Sequence, residues 1–137
     1  MKNSKTGYMS TPSYEDQTNG NPTILRVVLS EEYTKVDFGY VAPWIYIRGG
    51  WVRIGPHTFI QVHGSEKKYK LKEAVNIPIA PDILHFDSTQ DWLVFSLIFE
   101  AIPQIECVID LIEQVIPDDD DFNYMNVKID NLTPIFE

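Results

Sequence analysis

The sequence predicts an all-β sandwich of eight or nine short antiparallel strands. Three observations predict it. Short β-prone runs recur at near-regular spacing with Gly, Pro, Asn and Asp between them, and several alternate apolar and polar residues with period two. No βαβ alternation is visible, which sets aside parallel nucleotide-binding folds. A chain of 137 residues with 44% hydrophobic and 12% aromatic content belongs with globular proteins and is long enough for one two-layer core.

Residues 1–22 are rich in Asn, Ser, Thr, Gly and Pro without an apolar period, so they are expected to form a flexible N-terminal tail ahead of a domain at 23–137. Ile24-Leu25-Arg26-Val27-Val28-Leu29 is the first predicted strand, ended by Ser30-Glu31-Glu32. Thr34 to Tyr40 alternates strictly, with Val36, Phe38 and Tyr40 on one face and Lys35 and Asp37 on the other. Trp44-Ile45-Tyr46-Ile47-Arg48 and Trp51-Val52-Arg53-Ile54 flank Gly49-Gly50, whose tolerance of positive φ suits a two-residue hairpin turn. In that register one face is aliphatic. The other carries Trp44, Tyr46 and Trp51 interleaved with Arg48 and Arg53.

After Gly55-Pro56, a strand at 57–62 resumes, residues 63–68 form a polar turn, and Tyr69-Lys70-Leu71-Lys72 is a short alternating strand. Ile77-Pro78-Ile79-Ala80-Pro81 holds two prolines that exclude helix and remove ladder donors, so it reads as an extended edge or connector. Trp92 to Phe99 is apolar on both parities, which predicts a central strand covered on each side. Residues 104–116 fit a helical stripe at 105, 108, 109, 112, 115 and 116, but their Val and Ile content and their position between strands favour a strand. Pro117 to Asp121 is a charged loop, and Phe122 to Ile129 is the final predicted strand.

The formal charge is −9 and no Lys/Arg block stands out to offset it, so nucleic acid is a poor partner. Cys107 is the only cysteine, so no internal disulfide can form. Its apolar surroundings would raise its pKa and blunt it as a nucleophile. His57, His63 and His85 lack the spacing of a metal pair, and the Asp118 to Asp121 run lacks the spaced pattern of a calcium loop, so it reads as a solvated acidic loop. No catalytic set and no cofactor is expected. Polar residues follow Met1-Lys2 and no window reaches membrane-spanning length, so the chain is expected to be soluble, cytoplasmic and without a membrane partner.

Thr34–Tyr40, Gly49-Gly50-Trp51, Thr58-Phe59-Ile60, Tyr69-Lys70-Leu71, Ile77-Pro78-Ile79-Ala80-Pro81, Leu93–Phe99 with Ile102-Pro103, Ile109-Asp110-Leu111-Ile112-Glu113 and Phe122-Asn123-Tyr124 together resemble a small bacterial domain. That domain occurs in hypothetical Bacteroidetes proteins, alone or beside modules such as caspase-like peptidases. The resemblance spans about residues 24–132. It implies an immunoglobulin-like antiparallel β-sandwich of accessory character and carries no catalytic signature. In this chain Glu100-Ala101 stands where such domains commonly have a proline, and the 117–121 loop is longer. The reading that follows is a non-enzymatic domain that binds a protein partner or itself through Trp44, Tyr46, Arg48, Trp51 and Arg53, because exposed Trp and Arg anchor interfaces. The alternative is a carbohydrate or small-ligand module, calcium-assisted through Asp118 to Asp121.

Overall fold

Alternating side chains force a strand to bury one face, and the backbone here satisfies that demand with one long curled sheet. A computed structural model describes residues 5–13, 16–17, 23–41, 51–52, 55–76, 84–85, 92–113 and 123–136. Among them are twelve strand segments and no helix: β1 (Lys5–Ser10), β2 (Asp16–Gln17), β3 (Thr23–Leu29), β4 (Thr34–Val41), β5 (Trp51–Val52), β6 (Phe59–Val62), β7 (Lys68–Val75), β8 (Leu84–His85), β9 (Trp92–Phe99), β10 (Cys107–Ile112), β11 (Tyr124–Ile129) and β12 (Thr133–Phe136). Ten of them form a sheet in the order β12-β1-β3-β4-β9-β7-β6-β10-β11-β2, and β5 and β8 form a separate pair. Every pairing is antiparallel.

The sheet turns on β7. Residues 68–70 pair with β6, and residues 71–75 pair with β9 across a register shift between Leu71 and Glu73. At the handover the Lys70 amide donates to Glu100 Oε1 and the Lys70 carbonyl accepts from the Glu100 amide. Beyond this bend the two halves face each other. The rings of Phe38 on β4 and Tyr124 on β11 lie 5.6 Å apart although four strands, β9, β7, β6 and β10, separate them along the sheet order. The opposite ends also approach, because the chain leaves β1 at one end and Ser13 bridges Lys128 at the other.

The core sits between the halves. Val27, Leu29, Val36, Phe38, Phe95, Leu97 and Phe99 come from one side, and Ile60, Tyr69, Ile109, Leu111, Tyr124, Val127 and Ile129 from the other. Phe38 and Phe95 stack with centroids 4.9 Å apart. Thr34 closes one end: its hydroxyl donates to the Glu100 carbonyl and accepts from the Ile102 amide.

Several expectations are corrected. Residues 5–10 of the expected tail are a strand paired with both β3 and β12. Its buried positions are Gly7 and Ser10, which carry no hydrophobic signal. Gly7 is there because a Cβ would run into the Leu29 backbone carbonyl, and Ser10 donates its hydroxyl to the Asp130 carbonyl at 2.8 Å. β9 has strand neighbours on both sides, β4 and β7, but is not covered on both faces, since Val94 is 45% exposed while Phe95, Leu97 and Phe99 are buried. Asp37 is buried despite its outward parity. β11 is followed by β12, so it is not the last strand. β12 ends the sheet order among the described residues, and its Pro134 is opposite Tyr8. A proline, which has no amide hydrogen, is tolerated at such an edge. The described part of the 104–116 segment agrees with expectation, with a strand over Cys107–Ile112. The Gly49-Gly50 hairpin turn, the segment 77–81 and the loop 117–121 lie outside the described residues.

A cationic cleft as the candidate functional site

The register Phe59↔Lys70, Ile60↔Tyr69, Gln61↔Lys68 sorts the β6–β7 pair into two faces. Ile60 and Tyr69 enter the core. Phe59, Lys68 and Lys70 therefore share the outer face, by the alternation of a pleated strand. A phenylalanine on an outer face would ordinarily be wet, but Phe59 is buried, with Lys68 Nζ 4.8 Å from its ring centroid. This is the geometry of a cation held by the ring quadrupole.

The turn before β6 completes a cleft. Thr58 donates its amide and its hydroxyl to the Gly55 carbonyl, and the Gly55 amide donates to Oε2 of Glu113, just beyond the end of β10. The carboxylate thus staples the 55–58 turn to a neighbouring strand. Between them opens a cleft of about 590 Å³ whose lining includes Pro56, His57, Phe59, Lys68, Lys70, Leu71 and Glu113. Its volume falls in the range of ordinary ligand pockets. Chemically it offers two ammonium groups and an imidazole beside an apolar floor, with one carboxylate already engaged by a backbone amide.

The absence of a cationic block expected from the sequence is also corrected here. Lys67, Lys68, Lys70 and Lys72 are four of the eleven Lys and Arg residues of a chain with net charge −9. The signal was present as Lys-x-Lys-x-Lys over 68–72, whose period places Lys68 and Lys70 on one face. Lys72 departs from the row at the β7 register shift and reaches the Glu32 carbonyl.

The residues expected to bind are not assembled by the described structure. Trp44, Tyr46, Arg48 and Arg53 lie outside the described residues. Trp51 lies in β5 opposite His85, and its side chain is not described. The Asp118 to Asp121 run is likewise outside. His57 lines the cleft, whereas His63 contacts Asp110 at 2.9 Å, and Asp110 also accepts the Asn126 amide at a register shift between β10 and β11. Among the described residues no three His, Cys, Asp or Glu side chains converge as metal ligands would. No helix among them is long and apolar enough to cross a membrane.

Two further groups have perturbed ionisation. Burial pushes the Cys107 thiol up from its ordinary value, as its half-covered place on the inner parity of β10 requires. Asp37 is more crowded. Burial alone would raise its pKa, but hydrogen bonds from Ser96 and Arg26 and the charges of Lys35 and Arg26 outweigh that and hold it below the usual carboxylate value. Beside it on the outer face, Leu25, Val94 and Val75 are about half exposed, and Leu25 lies over Gly39.

Comparison of the chain with protein-family models, with curated proteins and with solved structures finds no match.

Proposed function

We propose that this chain is a non-catalytic accessory domain, an immunoglobulin-like β-sandwich, that binds another protein or a second copy of itself. The two facing halves of the curled sheet support the sandwich reading. The observation that carries the binding reading is the cleft in which Lys68 and Lys70 flank Phe59. Cations beside an apolar floor on a rigid strand pair form a recognition surface, because the apolar part supplies affinity and the charges supply orientation. The hairpin face of Trp44, Tyr46, Arg48, Trp51 and Arg53 is a second anchor in this reading. The cleft volume also favours a second reading, a small-ligand module that takes an anionic glycan or metabolite.

Affinity capture from the native host and light-scattering mass, run on the wild type, on W51A/R53A and on K68E/K70E, test the proposal. A stoichiometric polypeptide or a dimer mass lost in either variant supports it. Capture of nothing, with a monomer mass throughout, overturns it.

A further inference from the structure

We infer that the cleft between β6, β7 and the 55–58 turn takes an acidic peptide segment in which a carboxylate side chain lies next to an apolar one. The inference rests on the protein-binding reading and names its ligand.

The cleft itself sets the chemistry. Lys68 and Lys70 project from alternate positions of one strand onto one face, so their Cα atoms stand about 6.6–7 Å apart, two strand steps. An extended peptide repeats its same-side residues at the same spacing, so acids at positions i and i+2 match the two ammonium groups. The backbone of Lys70 is already committed to Glu100, which fixes where its side chain starts. Glu113, whose Oε2 holds the Gly55 amide, sets one negative charge against two ammonium groups, so the lining keeps a formal excess of positive charge. Lys68 has the Phe59 ring beneath it, a partner that leaves the ammonium able to accept an anion above. Pro56 and Leu71 add apolar wall, which a bare inorganic anion would not use.

A nucleic acid strand fits less well. Its phosphates repeat along the whole strand and would extend beyond the two lysines over a chain of net charge −9. A peptide with two local acids meets the cations and little of the rest.

The test is a titration of the isotopically labelled full chain, read by backbone amide NMR. Three probes are used: acetyl-Glu-Leu-Glu-Phe-amide, the same peptide with Gln in place of Glu, and an oligothymidylate. The acidic peptide is expected to shift the amides of Phe59, Lys68 and Lys70 saturably, and less so at high salt. The Gln peptide is expected to bind at least about tenfold more weakly. K68E/K70E is expected to lose the binding, and K68Q/K70Q, which keeps the stems over Phe59, to weaken it by a similar factor. No shift at these amides, equal shifts from the Gln peptide, or a stronger response to the oligothymidylate overturns the inference. Captured native partners that bind K68E/K70E as well as wild type overturn it too, while leaving the protein-binding reading intact.

Discussion

The Asp37 carboxylate accepts from the Ser96 hydroxyl and from Arg26 Nε, with Lys35 Nζ 3.5 Å away. A carboxylate this well served has its folded pKa below its unfolded one, so its contribution to stability is full above the unfolded value of about 3.9 and is lost as pH falls through the lower folded value. Asp37→Asn is expected to cost about 1–3 kcal/mol at neutral pH, since it weakens charge-assisted bonds at a buried site. It should also flatten the acid limb of stability, because the mutant has no proton to take up there. Urea unfolding from neutral to acid pH checks both, and equal losses for wild type and mutant below pH 5 would refute the assignment. Gly7→Ala is expected to cost about 1–3 kcal/mol, because the new methyl meets backbone, which cannot move aside as a side chain can. Equal urea midpoints for the mutant and wild type would show that the close approach is unimportant. At this scale the parity of Val36 and Phe38 was legible from the alternation in 34–40. The burial of Asp37 was not, because its partners Arg26 and Ser96 lie on two other strands, and one strand's pattern does not name them.

Among the elements, β1 departs furthest from expectation. A segment reading Lys-Thr-Gly-Tyr-Met-Ser has no apolar stripe, and its place in the sheet comes from backbone pairing with two neighbours. Removing residues 1–22 is therefore expected to destabilise the domain by roughly 3 kcal/mol or more, a fall in Tm on the order of 10 °C. Thermal unfolding followed by circular dichroism checks this, and an unchanged Tm would restore the tail reading. The opposite case is β10. Its helical stripe would bury residues 105 and 108, yet Ile105 is 60% exposed and the inward positions are Cys107, Ile109 and Leu111. Period two prevailed because β6 and β11 flank the segment on both sides and supply ladders that a helix would forfeit. For β9 the sequence showed apolar residues on both parities but not that a face would be left open at Val94, since exposure depends on which element lies above.

At the scale of the whole molecule, one residue reports whether the halves are a single cooperative unit. Phe38 stacks on Phe95 within its own half and meets Tyr124 from the other. Phe38→Ala is expected to cost about 3–5 kcal/mol, and the loss should be felt in both halves at once. Urea transitions followed by circular dichroism and by aromatic fluorescence should coincide and shift together; separate midpoints would show that the halves unfold independently. The all-β class was legible from patterning over the whole chain. The strand order was not, because β4 joins β9 and β7 divides itself between β9 and β6, choices made by long-range packing. The candidate cleft was half legible: its lysines alternate in plain view, but the depth of Phe59 and the staple from Glu113 exist only once β10 is brought beside β6.

Pro134 has a consequence for crowding. The rim that β12 presents is where an incoming chain could extend the sheet indefinitely, as fibres do by templating strand on strand. A pyrrolidine ring interrupts that template with a missing donor and a steric bump. Growth by strand stacking on the β12 side is thereby discouraged, and contacts made there are left to side chains, where recognition can be selective.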